Sequence, residues 1–174
     1  TLAFLIPIIE RLDAQIDGVQ VLILVPSREL AIQIEQVMRD MGSGYKVNAV
    51  YGGRAGAKDR LELNHAPTVL VGTPGRVADH VRRRTLDIDT IHTLVLDEYD
   101  KSLEVGFEPE MKEIIQELTG LQKKILTSAT NKTKVPKFVG VLNPKHLNFL
   151  GEKNQKLEMH LIETQDKIDA FKNL

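Results

Sequence analysis

An alternation constrains this chain more than any other feature of its sequence. Short apolar runs, "VQVLILV" (19–25), "KVNAVY" (46–51), "TVLVG" (68–72), "TLVL" (93–96), "KILT" (124–127) and "HLNFL" (146–150), recur along it, with helical spacing between them. The runs are apolar on successive residues and rich in β-branched side chains, the pattern of strands covered on both faces. Leu30, Ile34, Val37, Met38 and Met41 fall on one helical face, as do Met111, Ile114, Ile115 and Leu118. Strand and helix in strict turn predict an α/β fold: a mostly parallel central sheet flanked by helices in three layers.

The residues after each run carry the chemistry. In order they are "PSREL" (26–30), "GGR" (52–54), "TPGR" (73–76), "DEYD" (97–100) and "SAT" (128–130). In a parallel sheet these carboxyl ends share one edge, where open α/β sheets bind their ligands. Asp97, Glu98 and Asp100 put three acids within four positions. Two like charges about 4 Å apart repel by about 4 kcal/mol at a partly screened surface, so the cluster calls for a positive partner. A carboxylate at a strand tip suits Mg²⁺ beside nucleotide phosphates, and the next acid can orient an attacking water. The plainer alternative is that Asp97 caps the following helix and Glu98 is solvated. Ser128 and Thr130 offer hydroxyls to an acid such as Asp100, or else form a local Ser/Thr turn or an N-cap.

"GTPGR" and "YGGR" combine glycines, a helix start and arginine, which suits phosphate but also fits tight turns with solvated Arg54 and Arg76. Ser27 is a predicted N-cap. Arg28, in the first turn, opposes the helix dipole and so is expected to have an anionic partner, a phosphate or a nearby carboxylate. "VRRRT" (81–85) reads as a solvated basic face. At the amino end, Pro7 within "TLAFLIPIIERL" predicts a break or kink.

Composition excludes several classes. The chain has 174 residues, no cysteine and a formal net charge of −1. Disulfides and thiolate metal sites are therefore out, and nucleic-acid binding must come from local groups rather than global charge. No apolar run approaches the roughly 20 residues of a membrane span.

Taken as an ordered set, "PSRELA", "GG", "TPGR", "DEYD" and "SAT", with "VGF" at 105–107, resemble the DEAD-box RNA helicases. The resemblance covers an amino-terminal RecA-like domain over about 1–150, and residues 151–174 look like a linker and the start of a second RecA-like domain, with one strand at 157–163. "TLAFLIPII" is similar to the helix after the phosphate-binding loop, so that Thr1 would be that loop's final threonine, with the first strand and the rest of the loop outside this chain. What the resemblance implies is an ATP-dependent RNA helicase of the cytoplasm. Thr1 and Asp97 would serve Mg²⁺–ATP and Glu98 would position the hydrolytic water. Asp100, Ser128 and Thr130 would couple nucleotide state to closure against the second domain. Pro26, Arg28, Gly53, Thr73, Gly75 and Arg76 would line the RNA backbone, with low sequence specificity. Alternatives are a non-hydrolysing RNA-binding module and a related DNA translocase. The 174 residues alone are expected to bind ATP poorly and not to unwind RNA.

Tyr99 departs from the family, which has alanine there. Its phenol needs room and a partner, and it is expected to point away from the phosphate pocket.

Overall fold

A computed structural model describes residues 1–53, 59, 63–130 and 134–148. Five strands form one parallel sheet: β1 (Val21–Leu24), β2 (Val47–Val50), β3 (Val69–Gly72), β4 (Thr93–Leu96) and β5 (Lys123–Leu126), in spatial order β2-β3-β1-β4-β5. The helices are α1 (Leu2–Ile9), α2 (Arg28–Asp40), α3 (Pro74–Arg82), α4 (Tyr99–Glu104) and α5 (Glu108–Glu117), with a 3₁₀ turn at Lys137–Val139.

Side chains alternate across each strand, so successive apolar residues fill two cores. Val21, Ile23, Val47, Ala49, Val69, Val71 and Val95 pack with Phe4, Leu5 and Ile8 of α1 and Ala31, Ile34 and Met38 of α2. On the other face Leu22, Leu24, Val50, Leu70, Leu94 and Leu96 meet Val77 and Ala78 of α3 and Met111, Ile114 and Ile115 of α5. This is the three-layer arrangement that the alternation predicts. Both helical faces read from the sequence point inward. β5 differs from the other four strands: all of its residues are half-buried, whereas theirs are buried throughout.

Two local expectations change. Helix α1 runs through Pro7 without a break. Proline removes one backbone bond from a two-turn helix, and the burial of Phe4, Leu5 and Ile8 outweighs that loss. A sixth strand at 146–150 does not form over 146–148, and its last two residues, like the strand at 157–163 and the whole of 151–174, lie outside the described residues. The arginines of "VRRRT" are exposed, as a solvated basic face implies, and two of them pair at the surface. Arg82 grips Glu113 of α5 through two bonds of 2.6 Å, and Arg83 meets Asp79 at 2.7 Å.

Register sets the rim. Val50, Gly72, Leu24, Leu96 and Leu126, the last residues of the five strands, pair side by side. Ladder bonds continue one step further, from Val25 N–H to Gly72 O, Thr73 N–H to Val50 O, Asp97 N–H to Leu24 O and Thr127 N–H to Leu96 O, at 2.9–3.1 Å. All five polar tips therefore leave the sheet at one level, across about 19 Å of edge.

Candidate nucleotide and nucleic-acid site

At the β4 tip the three acids part company. Asp97 is buried and its carboxylate accepts a short hydrogen bond from the Thr127 hydroxyl of the neighbouring strand. Asp97 does not cap the helix that follows. Glu98 occupies the N-cap of α4 without a side-chain cap bond, exposed, at φ 49° and ψ 49°. A left-handed backbone costs a residue with a Cβ about 1–2 kcal/mol, so the turn holds strain just where the second acid projects. Asp100, 1% exposed, accepts from Thr130 Oγ1 at 3.2 Å through Oδ2, while its Oδ1 is buried without a hydrogen-bond partner among the described residues. One acid thus faces water and two face hydroxyls. Hydroxyl donors offset the charge of the two buried acids, and one buried oxygen has no partner among the described residues.

Of the two hydroxyls in "SAT", only Thr130 reaches an acid. Ser128 closes a local turn, accepting from Thr130 N–H at 3.1 Å and donating to Thr130 O at 2.8 Å. The hydroxyl that serves Asp97 belongs to Thr127, which the sequence offers merely as the end of a β-branched strand. Its signal was available in one respect: it sits one residue past Leu126 as Asp97 sits one past Leu96, but only the register makes those positions opposite.

Tyr99 turns into the core. The residue is 7% exposed within the cluster that holds Leu94, Leu96 and Val139, and it lines a cleft of about 870 Å³ beside β5 together with Ser128, Thr130 and Lys134. Burial, and secondarily the Asp100 carboxylate, pushes its phenol above the ordinary tyrosine range.

The arginine tips lie on the other side of β4. Ser27 caps α2, accepting from Leu30 N–H at 3.2 Å, and half-buried Pro26 leads into it. Arg28 is exposed and bonds the adjacent Glu29 at 2.6 Å, which is the nearby-carboxylate form of the expected anionic partner. That bond raises the Arg28 guanidinium and lowers the Glu29 carboxyl from their ordinary values. Gly53 is exposed at φ 83°, a conformation that glycine takes without strain, and a Cβ there would lie 3.9 Å from an Arg28 nitrogen. "GG" and "PSREL" are therefore neighbours in space. Thr73 is the N-cap of α3 and makes no side-chain cap bond. Gly75 brings that first turn against Phe107 of "VGF", 3.8 Å from where a Cβ would stand. Arg76 is largely committed inside the protein. Its Nε bonds the fully buried Asp59 at 2.8 Å, Asp79 lies 3.7 Å away, and His80 Nε2 meets the same Asp59 oxygen at 3.3 Å. Arg54 lies outside the described residues. Thr1 is exposed at the N-cap of α1, with no side-chain cap bond.

The described residues contain no group of three or more His, Cys, Asp or Glu side chains able to cage a metal. Asp97 still fits Mg²⁺, since it supplies a hard carboxylate at the rim and Mg²⁺ is commonly held by one or two carboxylates together with substrate phosphates and water.

A doubly covered parallel sheet with acids, hydroxyls, glycines and arginines aligned on one carboxyl-end rim is an α/β fold of the kind that binds ligands at that edge. Residues 1–138 match the family model for DEAD/DEAH box helicases, and the chain belongs to that family. It is 41% identical over 132 residues to the ATP-dependent RNA helicase CshA of Listeria monocytogenes, covering 75% of this chain and 25% of that protein. Against the ATP-dependent RNA helicase CshA of Limosilactobacillus reuteri it is 41% identical over 143 residues, covering 81% and 29%. The chain thus spans about a quarter of the length of these relatives. Among solved structures it resembles a hypothetical ATP-dependent RNA helicase from Sulfolobus tokodaii (TM-score 0.67, 30% identity, 80% of this chain and 39% of that one). A DEAD box protein from the hyperthermophile Methanococcus jannaschii is similar to the same degree (TM-score 0.66, 33% identity, 79% and 37%). Among the described residues no helix is long and apolar enough to cross a membrane.

Proposed function

We propose that this chain forms the first RecA-like domain of an RNA-dependent ATPase that separates RNA strands locally in the cytoplasm, closing against a second RecA-like domain. The observation that carries the reading is the rim itself: five chemically distinct loops, far apart in sequence, leave the sheet in register. Kinship with two ATP-dependent RNA helicases supports ATP and RNA as the ligands.

On this reading Asp97 and Thr1 would hold Mg²⁺, which when bound neutralises charge on the transferred phosphoryl group. Glu98, exposed beside Asp97 and projecting from a fixed backbone, orients the attacking water and accepts its proton. Asp100, with one buried oxygen that has no partner among the described residues and one bonded to Thr130, joins "DEYD" to "SAT" and so links the site to the Ser128–Thr130 turn that a partner domain would press on. RNA would run over the β1–β3 tips. There Pro26, Arg28, Gly53, Thr73 and Gly75 present backbone and one exposed cation to phosphates, giving affinity without base readout. Arg76 would act from its pairing with Asp59, shaping the α3 turn more than reaching outward.

The decisive experiment is Glu98→Gln in the full-length protein. Loss of RNA-stimulated ATP turnover with ATP-dependent RNA clamping retained is the expected result. Unchanged behaviour would point to a non-hydrolysing module, and stimulation by DNA in place of RNA to a translocase.

A further inference from the structure

Thr127 lies outside every motif named above, yet it bonds four consecutive residues of the β4 tip. Its N–H donates to Leu96 O at 3.0 Å, its hydroxyl donates to the Asp97 carboxylate, the same oxygen accepts from Glu98 N–H at 3.0 Å, and its carbonyl accepts from Tyr99 N–H at 3.1 Å. The outer two use only the backbone of residue 127, the first continuing the sheet and the second joining it to the start of α4, and any residue but proline could make them. The inner two need a hydroxyl, because one group must donate to a carboxylate and accept from an amide at once.

Both inner bonds act on the acids that matter. The first restrains the Asp97 carboxylate, thirty residues away in sequence. The second ties down the amide of Glu98, whose φ of 49° is one that L-residues leave readily when nothing holds them. Resting on the ATPase reading, we infer that Thr127 is a positioning residue: its hydroxyl fixes the carboxylate that faces the metal–nucleotide and locks the left-handed turn that aims the water-orienting acid. It touches neither substrate nor metal and works through Asp97 and Glu98.

The test compares Thr127→Val with Thr127→Ser in the full-length protein. Valine keeps the shape, the β-branch and both backbone bonds but loses the hydroxyl; serine keeps the hydroxyl and loses the methyl. With valine, RNA-stimulated turnover is expected to fall by about 10–100-fold, and the Mg²⁺ concentration giving half-maximal binding of fluorescent ADP to rise by a similar factor, as for other groups that orient metal ligands. Hydrogen exchange at the Glu98 amide should quicken at least about tenfold, since its acceptor is gone. Serine should restore all three to within about threefold. The inference is overturned if valine leaves turnover, Mg²⁺ dependence and Glu98 exchange at wild-type values, or if serine is as impaired as valine. Should the wild type itself show no ATP turnover, the ATPase reading fails separately, and amide exchange still decides whether the hydroxyl locks the turn.

Discussion

The two halves of the rim satisfy their charges differently. At β4 and β5, buried acids take hydrogen bonds from hydroxyls just past the end of the next strand, thirty residues away. At β1, the exposed Arg28 pairs with its immediate neighbour, Glu29. Arg76 stands between these cases, since it is a cation of the arginine side paired with a fully buried acid from another segment. The contrast teaches that burial, not sign of charge, decides how far a charged group must look for its partner. An exposed pair is screened by water and adds little, whereas a buried group left alone pays the whole of its desolvation.

Ways to break that rule follow, from strong to weak. Arg76→Ala should destabilise the fold by about 3 kcal/mol in urea denaturation, because it takes a paired cation away from the buried Asp59. A loss no greater than that of Arg28→Ala would end the comparison. Thr130→Val removes the hydroxyl bonded to Asp100, whose other oxygen already lacks a partner among the described residues, and should cost about 1–2 kcal/mol in the same assay.

Alkaline pH sharpens the contrast through Tyr99. Its folded pKa is raised by burial, so its contribution to stability is complete below the unfolded value, near pH 10, and is lost as pH climbs through the folded one. Between about pH 9 and 11, thermal melts of Tyr99→Phe should fall less steeply than those of the wild type; parallel curves would refute the role assigned to burial. At the weak end, Arg28→Ala should leave the denaturation midpoint unchanged, since both it and Glu29 are exposed. On the proposed function, it should weaken RNA binding evenly across sequences and reduce the salt slope by about one, measured by titration at several salt concentrations.

Much of this was legible in the residues alone. Unbroken apolar runs along the strands and a 3.6 period along the helices dictated a parallel sheet covered on both faces, and therefore a common edge for "PSREL", "GG", "TPGR", "DEYD" and "SAT". Ser27 as a cap and a carboxylate near Arg28 were equally local. Periodicity says which face a side chain takes but not which strand lies beside which. The order β2-β3-β1-β4-β5 is set by crossover packing, and that order put Thr127 opposite Asp97, while the loops beyond the strands brought Gly53 beside Arg28. The commitment of Arg76 to Asp59, and the passage of α1 through Pro7, were likewise settled by burial against distant residues. Short-range preferences fix the elements, while partners for buried polar groups come from whatever the folded chain brings within hydrogen-bond reach.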